Sequence, residues 1–129
     1  MSALAFALAL TACDGNINDN SYTFKFRVEN NTISKTISTI EFINGSNKDN
    51  RVLRKVSGLK LTKGELSDEY KVSGFTGEYG TNERFCGVIV TYDNETSNFG
   101  YSHFEHESKI LVAVGTAWSD SISFSSGKW

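Results

Sequence analysis

The sequence predicts an all-β domain, an antiparallel β-sandwich of about seven to nine strands. Three observations predict it. Apolar and polar residues alternate in short runs, turn signals recur at short and fairly even spacing, and no stretch after Cys13 has a helical period. Several segments carry Lys and Arg as sheet edges do, and strand lengths are uneven, which favours an open sandwich over the alternative, a small β-barrel. Proline is absent, so charge is expected to guard the edges.

The elements follow in order. Tyr22, Phe24, Phe26 and Val28 alternate with Thr23, Lys25, Arg27 and Glu29, the pattern of a half-buried strand. A second strand is expected over Ile33–Ile43. Its apolar positions change phase between Ile37 and Ile40, which a β-bulge near Ser38-Thr39 would reconcile. Asn44-Gly45 signals a tight turn and a polar loop runs to Asn50. Arg51–Val56 and Leu59–Leu61 read as two short strands or one interrupted strand, Tyr70–Phe75 as another, and Gly77–Glu83 as a loop. Phe85–Tyr92 is the most apolar run and is expected at the centre of a sheet. Asp93-Asn94 turns the chain into Phe99–Glu105, followed by Lys109–Gly115 and Ser121–Phe124.

Residues 3–12 are apolar apart from Thr11 and too few to span a bilayer, which takes about 20 residues. They suit the core of a secretory signal, commonly about 7–15 residues. The run ends in Leu10-Thr11-Ala12-Cys13, which resembles a bacterial lipobox: small residues before the cut, and a cysteine whose thiolate accepts a diacylglycerol group. Residues 1–12 are therefore expected to be a signal peptide, residues 13–21 the lipidated cysteine and a polar tether, and residues 22–129 a single domain. Only Met1 and Ser2 precede the apolar run, where Lys or Arg is usual, so the natural start is expected upstream or the leader is shortened. The competing reading is a buried first helix or strand of a cytosolic protein.

Thirteen Lys and Arg against fifteen Asp and Glu give a net charge of −2, which argues against a nucleic-acid partner. Of the two cysteines, Cys13 would carry lipid and Cys86 lies in an apolar strand, where a thiol acts as a small hydrophobe; a Cys13–Cys86 disulfide is the alternative. Phosphate-binding glycine loops and the Gly-x-Ser-x-Gly nucleophile elbow are absent, and no cofactor is expected. Asn-x-Ser/Thr sequons begin at Asn30, Asn44 and Asn94, as expected by chance in a chain rich in Asn and Ser.

Leu61-Thr62-Lys63-Gly64-Glu65-Leu66-Ser67-Asp68-Glu69-Tyr70 resembles the Leu-x-x-Gly-Glu-x-Ser-x-x-Tyr stretch of small lipoproteins of Bacteroidetes-type bacteria. There it leads into a central strand of an immunoglobulin-like or transthyretin-like sandwich. The resemblance implies that fold and a cell-envelope location, and its physical basis is a turn at Gly64 with Ser67 bonding nearby backbone.

His103-Phe104-Glu105-His106-Glu107 is the densest group of ligand-type residues. If the strand continues through it, His103, Glu105 and Glu107 share a face and form a candidate site for a divalent metal; a charged strand end in water is the plainer reading. Glu65, Asp68 and Glu69 are an acidic group around a turn, short of the six to eight oxygens that calcium takes. Tyr79, Tyr101 and Trp118 lie outside the clean buried pattern and are candidate contacts for a glycan or a protein, while Trp129 is the last residue.

The expected function is thus a noncatalytic, lipid-anchored binding or accessory module of the bacterial cell envelope. Its membrane contact would run through lipid on Cys13, and its partner would be an envelope protein or a glycan. The alternatives are a small envelope hydrolase or metal-binding protein using His103–Glu107, and a structural envelope subunit.

Overall fold

A computed structural model describes residues 21–45, 51–76, 84–116 and 118–129. Eight strands form: β1 (Tyr22–Asn30), β2 (Ile37–Asn44), β3 (Val52–Val56), β4 (Tyr70–Phe75), β5 (Arg84–Tyr92), β6 (Ser97–Phe104), β7 (Lys109–Val114) and β8 (Ile122–Ser126). They make two four-stranded sheets, the first ordered β8-β7-β1-β4 and the second β3-β2-β5-β6. This is the β-sandwich that the alternation predicts, with no closed barrel and no helix among the described residues. Every pairing is antiparallel except β1 with β7, which run parallel with Lys25 opposite Lys109 and Asn30 opposite Val114.

The alternation of β1 decides which side it buries. Phe24, Phe26 and Val28 lie in the core, and Lys25 is in water. Facing them across the sandwich are Ile37, Ile40 and Phe42 of β2 and Cys86, Val88, Val90 and Tyr92 of β5. The ring of Phe26 from the first sheet sits 4.7 Å from that of Phe42 in the second, so this pair ties the two sheets together. Partly buried Leu53 and Val56 close one side of the core, Ile122 and Phe124 the other.

The expected bulge is present. Ile37 pairs with Tyr92 and Thr39 with Thr91, which leaves Ser38 as the extra residue, its hydroxyl donating to the Thr91 carbonyl at 3.0 Å. The shift brings Ile37 and Ile40 both inward. The strand nonetheless starts at Ile37 rather than Ile33, which is exposed. The reason is a competing hub at Asn30. Its buried amide donates to the carbonyls of Lys35 and Leu61, both at 2.8 Å, while its Oδ1 accepts from the N–H and hydroxyl of Thr32. These bonds hold residues 30–35 as a loop and deny Ile33 a ladder partner. Asn94 repeats the device in the β5–β6 turn, accepting from the N–H and hydroxyl of Thr96. Two of the three sequons are therefore turns stabilised by Asn and Thr.

Leu59–Leu61 forms no strand of its own. Leu61 makes a single bridge with Ile37 and leads into the Gly64 turn, where φ is +84°. There the Glu65 carboxylate accepts the Thr62 N–H at 2.7 Å, which holds its pKa below the ordinary carboxylate range. Ser67 then stands in for a strand residue beside β1: its hydroxyl accepts the Val28 N–H at 2.8 Å and its own N–H reaches the Val28 carbonyl at 2.8 Å. The turn and the serine thus act as their chemistry predicts, between buried Leu61 and buried Tyr70. The loops over 46–50 and 77–83 lie outside the described residues, as does the amino-terminal segment with Cys13.

Candidate binding face

On β6 the alternation is reversed. Ser97, Phe99, Tyr101 and His103 point to water, and Asn98, Gly100, Ser102 and Phe104 point inward. A strand that puts its aromatics outside needs a reason for keeping its inner side small, and β8 supplies it. A Cβ on Gly100 would lie 2.6 Å from the Ile122 Cβ, so only glycine admits β8 this close. Next to it Asn98 bridges the sheets, donating to the Tyr92 hydroxyl at 3.1 Å and to the Asp120 carbonyl at 2.5 Å.

The displaced aromatics form a patch on the outer face of the second sheet. Phe99 is 59% exposed and Tyr101 51%. Their rings are 6.3 Å apart and nearly perpendicular, at 81°. Tyr101 also meets Phe85 edge-on at 6.1 Å, and Phe85 lies 5.6 Å from the His103 ring. Gly87 on β5 gives the Phe99 ring a seat, since a Cβ there would come within 3.0 Å of Cε1. Register extends the patch sideways: Tyr101 faces Gly87, which faces Ile43, which faces Val52, and Phe99 faces Ile89. The face is apolar, bordered by Glu41 and Lys55.

Of the residues singled out in the sequence, Tyr101 and His103 lie on this face. Trp118 does not. It is 92% exposed in the β7–β8 turn, with its N–H on the Thr116 hydroxyl, and it shares a shallow depression with exposed Ile33. Tyr79 and Cys13 lie outside the described residues. Phe99, the most exposed aromatic of the patch, escaped the sequence reading because a period of two puts a phenylalanine in the core. The signal that could have found it is the run of small residues between the aromatics.

The candidate metal ligands are not brought together. β6 ends at Phe104, so the alternation that would align His103 with Glu105 and Glu107 stops there. Glu105 faces His106 at 3.7 Å in water. The Glu107 carboxylate turns onto backbone N–H groups of its own turn, its own first and then those of His106 and Glu105, and these lower its pKa. No group of three His, Cys, Asp or Glu with metal-site geometry occurs among the described residues. In the acidic group, Glu65 is committed to Thr62 and Glu69 accepts the Trp129 indole N–H at 2.7 Å.

Cys86 is free and buried in the core, where loss of solvation pushes its thiol up to about 12. At pH 8 its thiolate fraction is expected to be roughly a thousandfold below that of an ordinary cysteine. A thiol reagent should therefore label Cys86 only after unfolding; rapid labelling of the native chain would contradict its place in the core.

No protein family, no curated protein and no solved structure matches this chain.

Proposed function

We propose that the chain is a noncatalytic binding module of the bacterial cell envelope, held to a membrane by lipid on Cys13, and that the outer face of its second sheet takes a protein partner. One observation carries the reading: β6 turns Phe99 and Tyr101 to water and sets Asn98, Gly100 and Ser102 inside, with Phe104 the one aromatic of the strand that it buries. Each ring is already about half buried, so covering the rest against a partner contributes about 1–2 kcal/mol, and Tyr and Phe are the residue types that interfaces concentrate at their centres. The rings stand edge to face in mutual contact, so they present a ridged apolar surface, rather than one continuous plane, for a partner's side chains to pack against. The lipobox-like Leu10-Thr11-Ala12-Cys13 supports the anchor. The hydrolase and metal-binding alternatives have no such support, since His103, Glu105 and Glu107 are each directed elsewhere.

Two measurements test the reading. Intact-mass analysis of the protein from its native host should show cleavage before Cys13 and the mass of acyl chains; an uncut, unmodified amino terminus would overturn the anchor. The Phe99→Ser/Tyr101→Ser double variant should keep its thermal midpoint within a few degrees and lose at least tenfold in recovery of the protein captured from native membranes. Equal recovery of that protein by parent and variant would overturn the binding face.

A further inference from the structure

Opposite the aromatic face, the outer side of the first sheet carries a row of cations that register forces together. Lys25 on β1 pairs with Lys71 on β4 and, on its other side, with Lys109 on β7. Directly opposed side chains sit about 4.5–5.5 Å apart at Cβ, and like charges at that spacing destabilise a sheet. Arg27, two residues along β1 on the same face, adds a fourth charge. Among the described residues no ion pair involves Lys25 or Lys71, and both are exposed. Glu29, on the same side of β1, and Glu69 keep their negative charge while accepting neutral N–H groups of Asn31 and Trp129, so four cations against these two carboxylates leave the face net positive.

Trp129 lies on this same face. Its ring is 5.6 Å from the Arg27 guanidinium and 5.8 Å from the Lys109 ammonium, and its carbonyl accepts from Lys109 at 2.6 Å. A tryptophan set among lysines and arginine suits the boundary between lipid and water, where its ring is apolar and its N–H and neighbours are wet.

We infer that this face rests on an anionic phospholipid surface. The inference uses the proposed lipid on Cys13 for its geometry. Residues 14–21 span at most about 30 Å between that lipid and Tyr22, and Lys25 comes three residues later on β1. The tether is thus short enough to lay the Lys71–Lys25–Lys109 row against the headgroups. Anchoring by lipid is stabler with a second signal, and a cationic patch supplies one. The sandwich then stands with its first sheet on the membrane and turns Phe99 and Tyr101 away from it.

The test uses the chain from Asp14 onward without lipid, which contains every described strand and the whole core. It is floated with vesicles of pure phosphatidylcholine or with 30 mol% phosphatidylglycerol at low ionic strength. Binding is expected only with phosphatidylglycerol, lost in 0.5 M salt, and reduced at least tenfold by Lys25→Glu/Lys71→Glu. That variant exchanges one opposed like pair for another and sets an opposite charge beside Lys109, so its thermal midpoint should stay within a few degrees of the parent's, which separates lost binding from lost fold. In a Trp118→Phe background, Trp129 emission should shift to the blue with the anionic vesicles. Equal partition into both vesicle types, or parent-like binding by the double variant, would overturn the inference. Because no lipid is attached in this experiment, its result is independent of whether Cys13 is acylated.

Discussion

Phe26→Ala is expected to cost about 3–5 kcal/mol, against about 1 kcal/mol or less for Phe99→Ala on the solvent face. Both are phenylalanines in alternating strands, and sequence alone treats them alike. Phe26 is fully buried and touches the rings of Phe24, Phe75 and, across the sandwich, Phe42. Its removal opens a cavity between the sheets that neither can collapse without shifting β1, whose other neighbours β4 and β7 are fixed by their ladders. Small domains hold only about 5–15 kcal/mol in total, so this variant should sit near its unfolding limit at 37 °C. Urea denaturation reads both: a lowered midpoint for Phe26→Ala with an unchanged slope, and a near-parental curve for Phe99→Ala. Comparable losses for the two would mean that β6 has been placed with the wrong face inward.

Asn30→Ala is expected to cost about 2–3 kcal/mol, from the Thr32 N–H left without its acceptor and from two carbonyls each losing one of two donors. The amide serves two carbonyls, of Lys35 and Leu61, and the carbonyl oxygen serves both the N–H and the hydroxyl of Thr32. The orphaned Thr32 N–H costs about 1–3 kcal/mol, partly relieved by water entering the loop, while the Lys35 carbonyl keeps the Thr32 hydroxyl and the Leu61 carbonyl keeps the Ile37 N–H. Asn30→Asp separates the two halves of the hub. It keeps the acceptor and places a carboxylate against two carbonyl oxygens, so its folded pKa rises above the unfolded value of about 3.9. Its deficit should therefore be smallest at acid pH and grow as pH climbs through that window. Denaturation at pH 4 and pH 7 checks the sign; a deficit independent of pH would show that the amide does not face those carbonyls.

The strands were legible because burial on one side writes a period of two into the chain. That rule found β1, β4, β5, β7 and the bulge at Ser38, where only an extra residue reconciles Ile37 with Ile40. It misplaced the start of β2, because Asn30 and Thr32 compete for the backbone around Ile33 through side-chain bonds that hydropathy does not register. It also had no means to foresee β6, whose orientation follows from Gly100 meeting Ile122 on a strand more than twenty residues away. The opposition of Lys25, Lys71 and Lys109 was invisible for the same reason. Each lysine reads as an ordinary exposed position, and only the parallel pairing of β1 with β7 sets them in a row. Likewise Trp129 reads as a terminal residue until Arg27, Lys109 and Glu69 are found around it.

The aromatic face and the cationic face lie on opposite sheets, so a membrane-standing domain keeps the first free for a partner. Site-specific photocrosslinking in the native host tests that arrangement most directly. A photoreactive residue is placed at Tyr101 on the second sheet or at Ser73, exposed on the first. A discrete protein adduct at position 101, with none at position 73, is the predicted result. Protein adducts at 73 with none at 101 would contradict the account.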